Sequence, residues 1–242
     1  MVKKWNSGTV EQWNNRTIEH MNTKTATLLG ATGLIGSHLL ELLQDDEHFK
    51  HIRILVRRPV EINHPKVRVL VIDFTDGSAF KSAIDGSDAV FCAVGTTNKK
   101  VKGDKTAYRK VDFDIPVNAA KFCEETGCPH FLLVSSVGAS SKGGNFYIKL
   151  KGEVEDEIRT LNIPSVSIFR PSMLLGKRNE SRPVESIAQA ITRPLGILFP
   201  SNFKPIRASD VARAMVAAAK QAKSGVAVYH YREMMELARI NK

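Results

Sequence analysis

Cysteine is scarce in this sequence, and no long hydrophobic run is present. The three cysteines, Cys92, Cys123 and Cys128, form no CxxC pair, which argues against a disulfide-stapled fold and against a zinc site. We therefore predict reduced thiols, a cytoplasmic location and no bound metal. No apolar run approaches the roughly 18 residues that a transmembrane helix needs, so we predict no membrane span.

Acidic residues are also in short supply relative to basic ones. The 242 residues include 35 lysines and arginines against 25 aspartates and glutamates, which gives a formal net charge of +10. Such an excess indicates an anionic partner, and the charge alone leaves nucleic acid, an acidic membrane and a phosphorylated small molecule open. The hydrophobic content of 43% is ordinary for a globular protein, and the length suits one large domain with a small addition.

Short apolar runs alternate with segments of helical periodicity through much of the chain. We predict strands at 24–29, 52–56, 67–72, 89–94, 131–134 and 166–169, and helices at 34–43, 108–125 and 147–161. The strands are continuous apolar runs, which is typical of strands buried on both faces of a parallel sheet. This alternation predicts an α/β fold with a Rossmann-like, doubly wound parallel sheet.

The two ends of the chain do not fit this pattern. Residues 1–22 show no strand pattern, and we predict a poorly ordered extension before an NAD(P)-binding domain at 23–242. From Pro171 onward the alternation fails, because several prolines interrupt the segment. These prolines are Pro183, Pro194, Pro200 and Pro205. We predict that the remainder, with a helix at 208–223 and a short C-terminal helix, forms a small helical cap over the open end of the sheet.

A glycine-rich turn joins the first predicted strand to the first predicted helix. Its residues are Gly30, Ala31, Thr32, Gly33, Leu34, Ile35 and Gly36. Gly30 can adopt a positive φ, Gly33 allows a pyrophosphate to approach the backbone, and Gly36 lets the helix lie close to the strand. The helix N-terminus adds free N–H groups and a partial positive charge. The turn therefore predicts a dinucleotide site, with a tight packing turn as the alternative.

Two arginines, Arg57 and Arg58, follow the second predicted strand. An NAD-specific site usually carries an acidic residue there, roughly 20 residues past the glycines, to bind the ribose 2′-hydroxyl. Guanidinium groups suit a 2′-phosphate instead, so we predict NADP(H) in preference to NAD(H); the alternative is a pair of solvated arginines. Asp73, with Phe74 beside it, follows the third strand and is a candidate for the adenine amino group or for a loop cap.

Ser136, Tyr147 and Lys151 form a candidate catalytic set. Ser136 follows the fifth predicted strand, and Tyr147 and Lys151 stand four positions apart on one face of the next helix. A lysine ammonium beside a phenol favours the phenolate form. Tyr147 can then exchange a proton with a carbonyl/alcohol pair while Ser136 orients the same oxygen. The YxxxK spacing also arises by chance, so an accidental surface pair is the alternative.

These motifs resemble those of the short-chain dehydrogenase/reductase superfamily, in an atypical branch with features of its extended members. The matching motifs are Gly30-x-x-Gly33-x-x-Gly36, Ser136, Tyr147-x-x-x-Lys151 and Arg170-Pro171. The chain is similar in particular to the Tat-interactive-protein-like oxidoreductases, which bind NADPH, over residues 25–219. The stretches that carry this similarity are 91–97, 135–139, 151–155, 169–171 and 180–183.

The resemblance implies a cofactor that lies across the strand ends. One segment would line the adenosine and ribose side, and a second would touch the nicotinamide. The first includes Ala93, Val94, Gly95 and Thr96, and the second Pro171, Ser172, Met173 and Leu174. Two departures from the family pattern matter. Asp112 stands where many relatives carry an active-site asparagine, and a long sugar-nucleotide domain is missing, which disfavours a sugar-nucleotide epimerase or dehydratase.

A basic loop at 98–110 follows the fourth predicted strand and should overhang the cofactor crevice. Its basic residues are Lys99, Lys100, Lys102, Lys105, Arg109 and Lys110. The loop is a candidate clamp for cofactor phosphates or an acidic substrate, and a solvated flexible loop is the alternative. Nucleic-acid binding would favour interleaved aromatic residues for base stacking, and only Tyr108 is near.

The sequence thus predicts an NADP-dependent oxidoreductase that acts on a small carbonyl or alcohol, with Tyr147 as the acid/base. The alternative is a regulatory protein, and not an enzyme, that senses NADPH without turnover. We expect a small-molecule substrate and neither a nucleic-acid nor a membrane partner, and a homodimer is left open.

Overall fold

Seven parallel strands form the central sheet of the computed structural model, which describes residues 23–97, 101–176 and 201–240. These strands are β1 Lys24–Leu29, β2 Phe49–Val56, β3 Val67–Val71, β4 Ala89–Cys92, β5 His130–Val134, β6 Ser165–Phe169 and β9 Gly225–Tyr229. Their order in the sheet is β3-β2-β1-β4-β5-β6-β9. Two short strands, β7 Leu174–Leu175 and β8 Ile206–Arg207, pair with each other in a separate parallel ladder.

Helices cover both faces of the sheet. They are α1 Leu34–Asp45, α2 Gly77–Ile84, α3 Lys105–Arg109, α4 Ile115–Thr126, α5 Phe146–Arg159, α6 Ala208–Gln221 and α7 Tyr231–Ile240. A π-helical turn, Lys110–Asp114, joins α3 to α4. The predicted Rossmann-like α/β fold is confirmed.

Consecutive strand residues alternate between two hydrophobic layers, which explains the continuous apolar runs. Leu28 belongs to the layer that includes α1, α6 and α7, whereas Leu29 belongs to the layer that includes α2, α4 and α5. Phe91 and Val90 divide in the same way across β4. Both layers consist of buried side chains. A polar side chain that points into either layer would lose its hydration and would need a hydrogen-bond partner.

The prediction that the strand–helix alternation ends at Pro171 is wrong. Helix α6 packs beside α1, and β9 then pairs in parallel with β6, with Phe169 opposite Tyr229. Helix α6 therefore continues the doubly wound layer and does not overhang the strand ends. The signal was missed because β9 is an edge strand whose first two residues are exposed, so it lacks the continuous apolar run of the inner strands.

Several smaller predictions from the sequence can also be compared with the structure. Helix α2 was not predicted because it has only 8 residues; Asp76 caps its first turn through the N–H group of Ala79. The three cysteines are free and buried. The predicted extension at 1–22, and Pro183, Pro194 and Pro200, lie outside the described residues. Within the described ranges, no helix combines the length and apolar character that a membrane crossing requires.

Candidate cofactor and catalytic site

The glycine turn after β1 has the close backbone contacts that its sequence predicts. Gly30 has a φ of +87°, and a Cβ atom there would lie 2.6 Å from the carbonyl oxygen of Ala93 after β4. A Cβ atom on Gly36 would overlap the carbonyl oxygen of Gly30. Only glycine fits these two positions, because strand ends β1 and β4 and the start of α1 approach one another without room for a side chain.

The N-terminus of α1 suits an anion. Gly33 is its N-cap residue, no side chain caps the first turn, and the first turn contains no acidic residue. Ala31 is buried and Thr32 is exposed, while Leu34 and Ile35 begin the helix. The N–H groups of this turn and the positive end of the helix dipole therefore fit the diphosphate of a dinucleotide.

The residues after β2 and β3 have different surroundings. Arg57 and Arg58 are exposed at the end of β2, the strand beside β1. The Asp73 carboxylate accepts hydrogen bonds from the N–H and the hydroxyl of Thr75, at 2.9 and 2.8 Å, and these bonds lower its pKa. The neighbouring Phe74 ring packs edge-on against Phe80, 4.9 Å away. Asp73 thus makes the loop-capping contact that the sequence left open.

Thr96 is held from two sides in the segment after β4. Its N–H group donates to Oδ2 of Asp112 at 2.7 Å, and its carbonyl oxygen accepts from the hydroxyl of Tyr108 at 3.3 Å. The N–H group of Ala93 donates to Leu29 at 3.0 Å, which extends the pairing of β4 with β1. Residues 93–96, which include Val94 and Gly95, are therefore fixed beside the glycine turn.

Helix α5 carries the tyrosine and the lysine of the YxxxK motif. Asn145 caps the helix by accepting a hydrogen bond from the N–H group of Tyr147 at 2.8 Å. Tyr147 is 37% exposed, whereas Lys151 is buried. The Nζ atom of Lys151 lies 5.9 Å from the centre of the Tyr147 ring and 3.1 Å from Oδ1 of Asp112. The helix therefore presents an accessible phenol beside a buried ammonium group.

The segments after β5 and β6 adjoin each other at the same edge of the sheet. Ser136 is partly buried, and its hydroxyl lies 3.4 Å from the carbonyl oxygen of Val137. The N–H group of Val137 donates to Pro171 at 2.9 Å. Further along, the Ser172 hydroxyl donates to the carbonyl oxygen of Lys204.

Met173 and Leu174 follow Ser172 in the segment after β6. Met173 is exposed, and its carbonyl oxygen accepts from Ile206 at 3.0 Å, next to the ladder formed by β7 and β8. A Cβ atom on Gly176 would lie 3.0 Å from Leu34, so this segment reaches the start of α1. The structure thus brings the chain just after the predicted nicotinamide segment next to Leu34 of the glycine turn.

A buried acidic residue, Glu155, was not predicted as part of the site. Its carboxylate accepts hydrogen bonds from the Ser135 hydroxyl at 2.5 Å and from the Arg170 guanidinium at 2.9 and 2.5 Å. These bonds tie α5 to the ends of β5 and β6, and the bonds to Glu155 raise the pKa of Arg170. The signal in the sequence was an acid four positions after Lys151, on the buried face of the same helix.

The basic loop becomes helical from Lys105 onward, and this helix packs on α5. Arg109 forms an ion pair with Glu153 at 2.6 Å, and the ammonium group of Lys105 lies 5.5 Å from the centre of the Phe146 ring. The Tyr108 and Phe146 rings contact each other edge-on. Residues 98–100 lie outside the described residues. The contacts from α3 do not fit a solvated flexible loop, and they attach α3 beside the first turn of the YxxxK helix.

The known proteins that this chain resembles agree with this geometry. The NAD(P)H-binding family model matches residues 30–222. "Protein FMP52, mitochondrial" from Candida albicans is 35% identical over 204 residues, which is 82% of this chain and 89% of that protein. "Protein HTATIP2" from Rattus norvegicus is 35% identical over 165 residues, 67% of each chain.

Solved structures share the fold at low sequence identity. A UDP-N-acetylglucosamine 4-epimerase from Methanobrevibacter ruminantium, in complex with UDP-N-acetylmuramic acid, has a TM-score of 0.68 and 18% identity, over 87% of this chain and 77% of that one. The Bordetella bronchiseptica enzyme WbmH in complex with NAD+ has a TM-score of 0.66 and 18% identity, over 86% and 76%. These similarities show the fold, whereas the NAD(P)H-binding family model supports a nicotinamide cofactor without distinguishing NADP from NAD.

The relatives contradict the cytoplasmic location predicted from the cysteines. Several fungal relatives, from Candida albicans, Debaryomyces hansenii and Meyerozyma guilliermondii, carry the word mitochondrial in their names. The prediction was wrong because free thiols argue only against an oxidising compartment, and they do not distinguish one reducing compartment from another.

Proposed function

This chain belongs to the NAD(P)H-binding family, in the atypical branch of the short-chain dehydrogenase/reductase superfamily near HTATIP2-like proteins, and from that premise we propose that it is an NADP-preferring oxidoreductase. Its substrate would be a small molecule with a carbonyl or alcohol group. The observation that carries the proposal is the pairing of an exposed Tyr147 phenol with the buried Lys151 ammonium, 5.9 Å from the ring centre.

The cofactor would lie along the carboxyl edge of the sheet. The N–H groups at the start of α1 would bind its diphosphate, and Arg57 and Arg58 would bind its 2′-phosphate. Lys151 would contact the ribose next to the nicotinamide. A bound nicotinamide supplies or accepts the hydride in this chemistry.

The protein side chains would handle the proton and the orientation of the substrate. In the direction of reduction, the Tyr147 hydroxyl donates a proton to the carbonyl oxygen, and in oxidation its phenolate accepts one. The Lys151 ammonium stabilises that phenolate. The Ser136 hydroxyl donates a hydrogen bond to the same substrate oxygen and so orients it.

A reductase screen over aldehydes, ketones and quinones, followed by the absorbance of NADPH, tests this proposal. With the best substrate found, Tyr147→Phe should bind NADPH as the parent does and lose turnover by about 100-fold or more, because it retains the ring and lacks the proton. Tyr231→Phe, on α7, is the matched control and should retain turnover. Full turnover in Tyr147→Phe would refute the assignment of the acid/base.

The same screen separates the enzyme from a regulatory protein. If the parent binds NADPH but reduces no compound, and NADPH changes its binding to another protein, the regulatory alternative is correct.

The names of the fungal relatives also support a mitochondrial location for this chain. Protease protection of the chain in isolated mitochondria would support that location, and recovery with the cytosolic fraction would refute it.

A further inference from the structure

Asp112 occupies an unusual position in the backbone. The π-helical turn Lys110–Asp114 places its side chain inward at 1% exposure, whereas Asp114 in the same turn is exposed. Turns of this kind widen the helix locally and occur often at functional sites. The widened turn therefore directs one of two neighbouring acids into the protein, beneath the YxxxK helix.

The two carboxylate oxygens of Asp112 serve two different parts of the site. Oδ1 lies 3.1 Å from Nζ of Lys151 on α5, and Oδ2 accepts the N–H group of Thr96 at 2.7 Å. Thr96 is also held through its carbonyl oxygen by Tyr108. One side chain thus connects the lysine of the motif to the segment that follows β4.

The charges around Lys151 explain why a carboxylate matters there. The groups that act on it are Asp112, Tyr147 and Cys92, and burial raises the pKa of the Cys92 thiol to about 11. Burial raises the pKa of the nearby Tyr108 hydroxyl as well. Burial acts to lower the pKa of Lys151, but the Asp112 carboxylate and Tyr147 outweigh it and raise that pKa. Asp112 is therefore the carboxylate that compensates a buried cation.

We propose that Asp112 is a positioning residue that keeps Lys151 charged and directed at the cofactor ribose while it fixes the backbone of Thr96. This inference rests on the proposed function, since the ribose contact belongs to the bound cofactor. An asparagine at this position has a single acceptor oxygen, which could accept from the Thr96 N–H group, and it would carry no charge to hold the ammonium in its charged form. The carboxylate thus makes cofactor binding independent of pH over the range in which a buried lysine would otherwise lose its proton.

The pH dependence of NADPH binding tests the proposal with a conservative substitution. In Asp112→Asn, the dissociation constant of NADPH should rise about tenfold from about pH 7 to about pH 9.5, as Lys151 loses its proton and its charge-assisted hydrogen bond. The parent should change by less than about threefold over this range, since the 2′-phosphate is already fully ionised. Asp114→Asn, in the same turn and exposed, is the control and should follow the parent.

A second substitution separates charge from shape. Adding Lys151→Arg to Asp112→Asn should remove the pH dependence, because a guanidinium does not lose its proton in this range. If Asp112→Asn binds NADPH with the pH dependence of the parent, the proposal is overturned while the proposed function stands. If the parent binds neither NADPH nor NADH, the proposed function fails instead.

A measurement on the parent chain needs no cofactor. In protein labelled with 13C-lysine, the NMR signal of Lys151, assigned by its loss in Lys151→Arg, should titrate at a higher pH than the lysine of a model peptide, because the Asp112 carboxylate raises the pKa of Lys151. Titration of Lys151 at or below the pH at which the model peptide titrates would overturn the proposal, whatever the cofactor experiments give.

Discussion

Lys151 and Asp112 form an ion pair in the interior of the protein, with 3.1 Å between Nζ and Oδ1 and side chains only 5% and 1% exposed. Both groups have lost most of their hydration, and each depends on the other to compensate that loss. The pair also joins α5 to the π-helical turn. Its integrity should therefore influence the stability of the fold as well as the cofactor site.

Removal of one partner should cost more than removal of both charges. Lys151→Met leaves the Asp112 carboxylate buried without a counter-ion, so we expect the free energy of unfolding to fall by about 3 kcal/mol. Adding Asp112→Asn, which still accepts the Thr96 N–H group, should restore about half of this loss. Urea denaturation measures both changes. Lys149→Met, exposed on the same helix, is the control, and an equal cost in the two single variants would contradict the prediction.

The glycine turn leads to a prediction about packing. In Gly36→Ala, the new Cβ atom overlaps the carbonyl oxygen of Gly30, and neither atom can rotate away, because the backbone fixes the position of both. We expect a loss of about 1–3 kcal/mol in stability and a matching loss of NADPH affinity, since the start of α1 must shift. Gly144→Ala has open space around its Cβ and should behave as the parent. NADPH affinity in Gly36→Ala equal to that of the parent would refute the close-approach argument.

The parts of the fold that the sequence predicted are those encoded by neighbouring residues. The apolar runs of the inner strands reveal burial on both faces, and the glycine turn lies directly between β1 and α1. Edge strand β9 was missed because its first two residues are exposed and it lacks a continuous apolar run. Local pattern therefore predicts the centre of the sheet better than its margin.

The site contacts that were missed join residues far apart in the chain. Asp112 meets Lys151 and Thr96, and Glu155 meets Ser135 and Arg170, through pairings that no single segment contains. The π-helical turn that turns Asp112 inward has no composition signal of its own. Such contacts depend on how α4 and α5 pack on the sheet. A sequence motif shows only one residue of each contacting pair.

The cofactor preference depends on Arg57 and Arg58 at the end of β2. In the variant that carries both Arg57→Ala and Arg58→Ala, we expect NADPH affinity to fall by about tenfold or more, because two charge-assisted contacts to the 2′-phosphate are lost. NADH lacks that phosphate, and its affinity should not change. Fluorescence titration with both cofactors measures the ratio, with exposed Arg232→Ala as the control. Equal loss for both cofactors, or a parent that does not prefer NADPH, would contradict the assignment.

His130 is a buried titratable group away from the cofactor turn, at the first position of β5. Its side chain is 2% exposed, and Nε2 lies 3.0 Å from the hydroxyl of Ser167. Burial lowers the pKa of His130 from 6.5 to about 4. The folded chain therefore holds this imidazole neutral at a pH at which the unfolded chain already protonates it.

The sign of the resulting pH dependence follows from that difference. Between about pH 6.5 and about pH 4 the unfolded chain binds the extra proton, so this histidine removes stability as the pH falls, up to about 3 kcal/mol in total. Above pH 6.5 the penalty is absent, and below pH 4 it stays constant. In His130→Gln, which can still bond to Ser167 and does not titrate, urea denaturation should give a smaller loss of stability from pH 6.5 to pH 4 than in the parent. His51→Gln, on exposed His51 of β2, is the matched control. An unchanged slope in His130→Gln would show that His130 is protonated in the folded chain at the same pH as in the unfolded one.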